Sequence, residues 1–452
     1  MSYLLNIINI ISIILIEGVR KREKNKFDIL FFVNGYFMIY FAIIPILFQL
    51  FGRDIKEYFS YVPVWIRYIN FDLVSFKYAN LIIFCGYIML ILGYYFDEVI
   101  NQTGSSDLTA KKKKYIHVIS YKTIKKTAFL LFLISIISIL GYTSHFGGPI
   151  RALVKAEQFR GHDAPFFKLR YLKYFISLIL PTSIFYYILQ KKSLKYKILF
   201  IISLIFSIYY LLLNAGRAPI LMYLLFFVLF NLEMKKKRFG LFTLFIIFIL
   251  AILFAVYGNT ILLFLLEGEI RYDESNLYYK LLKFIEQLSP SFSNVLKVPE
   301  FIDIDNSYLY FKEYILWPIQ ILPKSNAIFE FIGIQNHSTS TKIHTEYFNS
   351  PSGMGMPVDL LTFGYYQLSF LGVMINSFLF GYVLKKIEYI FKYEDQDIIL
   401  AIKIWSILFI MNLLIYFEIP VIIIGKIHYW LPILFVFVYR KKSRKIVHKK
   451  IN

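Results

Sequence analysis

The sequence predicts an all-α polytopic integral membrane protein with about eleven transmembrane helices and one large extracytoplasmic loop, and three observations lead there. Of 452 residues, 58% are apolar and 19% aromatic, which puts the mean hydropathy well above that of soluble globular chains. The apolar residues fall in blocks of roughly 17 to 25, the length a helix needs to cross about 30 Å of hydrocarbon. Lysine-rich breaks separate the blocks, so the net charge of +21 reports topology and forms no basic domain for nucleic acid. The single cysteine, Cys85, lies in an apolar run and excludes an intrachain disulfide framework or a cysteine-based metal site.

In order, spans are expected at 2–17, 29–51, 79–97, 128–146, 171–190, 198–214, 217–234, 239–258, 358–384, 398–418 and 420–439. Helices one to eight thus occupy 1–258, with an Arg-rich outer loop at 147–170; the large loop covers 259–357, and helices nine to eleven with a basic cytoplasmic tail cover 358–452. The first block has no positive residue before it and five after it, opposite to a secretory signal, and reads as a retained anchor that starts outside. The connections then sort by charge. Arg20 to Lys26, Lys111 to Lys126, Lys191 to Lys197, Lys235 to Arg238, Lys385 to Lys392 and the tail from Arg440 hold about 30 of the 50 basic residues and face the cytoplasm. The alternate set contains 259–357, with seven Lys or Arg in about a hundred residues, and faces outward.

Within that loop, YLYFKEYILWPIQIL at 308–322 is apolar enough to suggest another crossing. Such a crossing would carry Lys385, Lys386 and the tail outside, so the stretch reads as interfacial or re-entrant. The last span is interrupted near its outer end by Gly425 and Lys426. Lys403, a turn inside the tenth span, snorkels back to the cytoplasmic face.

Ionisable residues beside apolar spans are costly and need a partner or a substrate. Arg217 stands in NAGRAPI, a turn too short to leave the outer face, with Pro219 opening the next helix. Its guanidinium could hold a phosphate or pyrophosphate by paired hydrogen bonds, or simply snorkel at a helix end. The outer loop 147–170 carries Arg151, Lys155, Arg160, Lys168 and Arg170 against the charge rule, which suggests an anionic ligand, solvated charge or lipid headgroups. Arg271 sits among Glu267, Glu269, Asp273 and Glu274 just after the eighth span. The tyrosines and Trp317 of the large loop suit sugar rings and also an interfacial belt. His337 and His344 are seven apart, close to two helical turns, and either could serve as a general base or phosphate contact, or be solvated. Asp359 and Glu418 lie at the expected outer ends of the ninth and tenth spans, where each could pair with an arginine, deprotonate a hydroxyl, or act structurally. No third ligand at metal-binding spacing accompanies the histidines.

Three stretches together resemble the bacterial oligosaccharide repeat-unit polymerases, the O-antigen and capsule polymerase family. They are FFVNGYFMIYFAIIPILFQL (Phe31–Leu50), the outer turn NAGRAP, and SPSGMGMPVDLLTFGYYQLSFLGVMINSFLFG (Ser350–Gly381). The resemblance implies transfer of a growing glycan from undecaprenyl pyrophosphate to a hydroxyl of the next lipid-linked unit, at the outer face of the cytoplasmic membrane and without a cofactor or metal. Arg217, Arg160 and Arg271 would stabilise the charge that builds on the leaving diphosphate, and Arg151 and Glu418 would take part in binding the substrate. His337 or His344, ahead of Asp359, would take the acceptor proton. Thr362 and Phe363 stand where relatives often carry a glutamate before an aromatic pair. Membrane lipids, a chain-length regulator and a flippase are the implied partners. Two other readings stay open: a lipid-linked oligosaccharide flippase or other transporter, which would show paired halves and broken helices, and a glycan ligase.

Overall fold

The computed structural model describes residues 2–20, 28–58, 64–67, 69, 71–103, 116–118, 120–155, 171–214, 217–234, 277–305, 308–322, 325–334, 339–348, 357–391, 397–438 and 441–443. Among them the chain is helical apart from a three-residue antiparallel pairing of Ile116–Val118 with Lys441–Ser443. Among the described residues seven helices are long and apolar enough to cross a membrane: Ile29–Tyr58, Val74–Glu98, Tyr121–Phe146, Leu172–Lys192, Leu194–Leu213, Leu360–Phe391 and Asp397–Ile415. Two shorter apolar helices, Leu4–Val19 and Pro219–Met234, match the first and seventh expected spans. The eighth expected span, 239–258, lies outside the described residues. Ile198, Ile201, Ile202, Ile205 and Ile208 are exposed along one face of Leu194–Leu213, an apolar stripe that suits lipid and not water. The protein is membrane-embedded.

Local chemistry explains the helix boundaries. Asp28 caps the second helix by accepting from Leu30 N at 3.0 Å and Phe31 N at 3.4 Å. The same helix passes through a π-turn at Ile39–Ile43, just before Pro45, whose missing N–H would break the regular ladder in any case. Ser120 caps Tyr121–Thr143 through Thr123 N at 3.1 Å. Inside the spans Ser135 bonds back one turn to Leu131 O at 2.7 Å and Thr143 to Ile139 O at 2.6 Å, so these two hydroxyls carry no unmet polarity into lipid.

The ninth expected span requires correction. Leu360–Phe391 is not one rod: Leu368 (φ −162°, ψ 53°) and Ser369 (φ 50°, ψ −144°) leave the helical region, and the chain reverses there. Asn376 Nδ2 donates to Leu360 O at 2.9 Å, although sixteen residues of continuous helix would separate the two by about 24 Å. Residues 360–367 therefore form a short arm lying antiparallel against the helix that follows. A Cβ on Gly372 would fall 2.1 Å from Gly364 O, so glycine at both positions permits backbone-to-backbone contact between arm and helix. The eleventh span is likewise divided, into a π-turn at Val421–Gly425 and a twelve-residue helix Ile427–Val438.

The helix after the arm packs most extensively on Leu73–Thr103. Small residues set the approach, since a Cβ on Gly93 would lie 2.0 Å from Phe378 O and one on Gly381 would lie 2.0 Å from Leu90 O. Lys385 pairs with Glu98 at 2.7 Å, Lys386 with Asp97, and Lys191 with Asp397 at 3.7 Å. With the 116–118 and 441–443 pairing, segments expected on one membrane face thus meet at one end of the bundle.

Between 259 and 357 the described residues form five helices of seven to sixteen residues, each shorter than the roughly 20 needed for a crossing. Lys312–Gln320, in the apolar stretch 308–322, has nine. Leu277–Leu288 packs on Ile44–Tyr58, and Pro290–Asp305 packs on the fold-back arm and its helix. Two apolar cores result, one among the middle and last helices and one beneath the 277–305 helices, with Phe417 packed against both.

Candidate functional site

A cavity of about 230 Å³ opens where Leu172–Ile176, the end of Leu194–Leu213, the start of Arg217–Met234, Asp397–Ile415 and the 421–429 segment converge. That is below the roughly 300 Å³ at which drug-sized pockets begin, and suits a headgroup better than an oligosaccharide. Its charged lining is cationic: Lys173 and Lys426 face it, His428 adds an imidazole, and among the described residues no carboxylate does. Tyr174, Tyr210, Tyr223 and Tyr429 add hydroxyls. Pro219 lines it from the first turn of Arg217–Met234, where its fixed φ and absent N–H are tolerated and the helix end is electropositive.

Two buried polar atoms on this lining have no partner: Asn412 Oδ1 and His428 Nδ1, each on a residue 7% exposed. The π-turn at Val421–Gly425 delivers Lys426 and His428. His428 is held from behind, its carbonyl accepting from Trp405 Nε1 at 3.0 Å, while the Lys426 ammonium lies 5.0 Å from the Tyr416 ring centre. An anion with hydrogen-bonding oxygens would meet donors on several sides.

A second polar network lies over the fold-back arm. The reversal at 368–369 strips the arm's last carbonyls of helical partners, and the chain at 309–310 supplies them: Leu309 N donates to Tyr366 O and Tyr310 N to Gln367 O, both at 2.9 Å. Tyr310, Phe311 and Ser369 take positive φ to make this junction, at a cost of about 1–3 kcal/mol each. Beside it Glu313, 1% exposed, accepts from Ser340 Oγ at 3.2 Å, Ser340 N at 3.3 Å and Gln367 Nε2 at 3.1 Å. Burial, and then the neighbouring Glu418, push its carboxyl up to about 7. Glu418 accepts from the Thr341 hydroxyl.

The expected site residues fall in several places. Arg217 is the first residue of its helix, two before cavity-lining Pro219. Arg151 is exposed on the short helix Pro149–Val154, its side chain lying over Gly147, and does not line the cavity. Arg160, Arg271 and His337 lie outside the described residues. His344 is fully buried, with Nδ1 2.7 Å from the Tyr366 hydroxyl and Nε2 2.8 Å from Asn294 Oδ1. Burial lowers its pKa to about 3, far below the near-neutral value a general base needs. The helix carrying His344 starts at Ser340, capped by Thr339. Asp359 is no free carboxylate at the end of a span: it caps the arm, accepting from Leu361 N and Thr362 N at 3.0 Å and from the Thr362 hydroxyl at 2.6 Å.

Glu313, Lys173 and His428 were not singled out by sequence, and Lys426 was read only as an interruption. All four are ionisable residues within or beside apolar runs, the criterion that selected Arg217. Among the described residues no group of three His, Cys, Asp or Glu side chains could hold a metal ion. No protein-family model, curated protein or solved structure matches the chain.

Proposed function

We propose that the protein is a glycosyltransferase of the repeat-unit polymerase type, acting at the outer face of a bacterial cytoplasmic membrane. It transfers a growing glycan from undecaprenyl pyrophosphate to a lipid-linked oligosaccharide unit, in the synthesis of O-antigen or another surface polysaccharide. The observation that carries the reading is the cationic cavity, with Lys173 and Lys426 on its wall and the Arg217 helix start at its edge. In the transfer, the bond from the anomeric carbon to the diphosphate oxygen breaks, a bond to the acceptor oxygen forms, and the acceptor proton leaves to a base. Charge grows on the departing diphosphate, and fixed cations in a water-poor cavity stabilise it; removing one such group typically costs about a hundredfold or more in rate. Glu418, two residues from the tyrosine that touches Lys426, is the carboxylate best placed along the chain to receive the proton. Arg160, Arg271 and His337 belong to the proposal through the resemblance alone. A chain-length regulator and a flippase are the proposed partners, with the C-terminal tail cytoplasmic and 259–357 extracytoplasmic.

One observation favours a transporter: the break at Leu368 and Ser369 makes a discontinuous, re-entrant helix of the kind that transporters place at substrate sites. Deletion of the protein followed by size analysis of the surface polysaccharide separates the readings. A polymerase defect leaves single repeat units on the final acceptor, a ligase defect leaves long chains on the carrier, and a flippase defect leaves undelivered single units on the carrier. Lys426→Gln should reproduce the deletion pattern at normal protein level. A normal length ladder in Lys426→Gln would remove the cavity from the reaction.

A further inference from the structure

Glu313 joins three elements that meet at the reversal of the chain. It stands in the first turn of Lys312–Gln320, accepts from the N-terminal residue of Ser340–Tyr347, and accepts from Gln367, the last residue of the fold-back arm. Among the described residues it has no cationic partner, and it is almost fully buried. The groups facing it are Glu418 from the 416–418 linker, Tyr366 from the arm and Tyr314 from its own helix. His344 lies one hydrogen bond further, on the Tyr366 hydroxyl. No facing group offers a positive charge to balance an ionised Glu313.

The second observation is on the other side of the same contact. Gln367 is completely buried; its Nε2 donates to Glu313 Oε2, yet its Oε1 has no hydrogen-bond partner. A carboxylate has only acceptors and cannot meet that need, whereas a carboxylic acid carries one O–H. Protonated Glu313 can pair with the Gln367 amide in both directions, the amide N–H donating to the carboxyl oxygen and the acid O–H donating to Oε1. Both groups are then satisfied, and the repulsion from Glu418 is removed.

We propose that Glu313 is a proton-binding site, and that the acid–amide pair it forms with Gln367 latches the fold-back arm onto the 309–347 segment. When the proton leaves, a buried carboxylate faces Glu418 and Gln367 Oε1 is again without a donor, so the junction at 366–369 loosens. The balance is that of a simple acid dissociation, with water or buffer taking the proton and no other reactant. Burial and Glu418 raise the carboxyl to about 7, so latch and release both fall within the ordinary pH range of a cell envelope. This inference does not depend on the glycan reading.

The test follows the reversal directly. In full-length protein with Cys85→Ser, a thiol at Ser369→Cys is labelled between pH 5.5 and 8.5, and its rate is divided by that of a thiol at Ile150→Cys, an exposed position, to remove the ordinary pH dependence of the reagent. The normalised rate should rise by roughly tenfold with a midpoint near 7, as a loosened junction opens. In Glu313→Gln, which keeps a neutral amide at every pH, the rise should vanish. Glu418→Gln removes the facing carboxylate and should move the midpoint to lower pH, which keeps the test open if Glu313→Gln does not fold. A flat profile in the parent, a rise that survives Glu313→Gln, or a midpoint unmoved by Glu418→Gln would each overturn the proposal.

Discussion

The fold-back makes a prediction whose sign, and not merely its size, separates it from a straight helix. An alanine at Gly372 would place its Cβ 2.1 Å from Gly364 O and 3.4 Å from Leu368 Cβ. A close carbon-to-oxygen contact needs about 3.3 Å, so arm and helix must part by about 1.2 Å. The obstacle is backbone, so no side chain can turn aside. Overpacking of this kind costs about 1–3 kcal/mol. The displacement also strains the Asn376 to Leu360 bond and the paired bonds from Leu309 and Tyr310, all within a few residues. Gly35 is the reference: it is also helical, with nothing within 4 Å of an added Cβ. Alanine there should be neutral or stabilising, by up to about 1 kcal/mol. If 360–391 were one continuous helix, Gly372 would behave like Gly35. Thermal unfolding of the purified full-length variants in detergent is the assay, with Gly372→Ala expected to melt several degrees lower and Gly35→Ala unchanged or higher. An unchanged or raised melting temperature for Gly372→Ala would refute the reversal. A nitroxide pair at 360 and 376 gives the same answer as a distance, since a rod would hold the two backbones about 24 Å apart.

Four further outcomes are expected. Asp359→Ala should lower stability by about 1–2 kcal/mol through loss of a cap, while Asp359→Asn keeps most of it; loss of activity at unchanged melting temperature would return Asp359 to the chemistry. Arg217→Lys should lose most polymer formation despite the retained charge, because an ammonium cannot make two parallel hydrogen bonds to a phosphate; a near-normal glycan length would exclude Arg217 from the site. His344 has a folded pKa of about 3 against an ordinary 6.5, so the unfolded chain binds the extra proton between these values. Its contribution is complete above the ordinary value and is lost as pH falls through that window, so wild type should lose melting temperature on acidification more steeply than His344→Gln. A reporter enzyme active only outside the cytoplasm should work when fused at about residue 330 and fail at 238, and the reverse would overturn the proposed orientation.

The helices were legible because their signal is long and redundant. A misplaced residue in Tyr121–Phe146 or Leu194–Leu213 changes little in a block of twenty or more apolar side chains. The fold-back was not legible, because LLTFGYYQLSFLG is apolar throughout and reverses at Leu-Ser, without the glycine or proline that usually marks a turn. Its signature was the pair Gly364 and Gly372, which looked like two ordinary glycines in a membrane helix until the partner strand of backbone was known. Asp359 and His344 were visible as residues but not as states. Whether a carboxylate is free or caps a helix, and whether an imidazole is wet or locked between a tyrosine and an asparagine, depends on groups distant in sequence, such as Asn294 fifty residues away. Glu313 and Lys426 were nearer to hand: each is a charge in an apolar run, Glu313 beside Lys312 and Lys426 between Gly425 and Ile427, and the cost of burying it required a partner or a purpose.

The two polar networks are joined by three residues. Asp397–Ile415 ends at Tyr416, Phe417 and Glu418, and each of the three reaches a different body. Tyr416 lies under the Lys426 ammonium of the cationic cavity. Phe417 N donates to Val358 O at 2.7 Å, and its ring stands edge-on to Phe363 of the arm and Phe380 of the following helix. Glu418 holds Thr341 and faces Glu313. The linker is thus fixed by contacts to the cavity, to the fold-back and to the 340–347 helix at once. A contact between an ammonium and an aromatic ring is worth about 0.5–2 kcal/mol. A neutral backbone hydrogen bond is worth about as much. No one of the three holds the linker alone, and a change at any of them is felt at the other two through a span of only three residues. An anion that drew Lys426 away from Tyr416 and a proton that removed the charge of Glu313 would act on opposite ends of the same short rod.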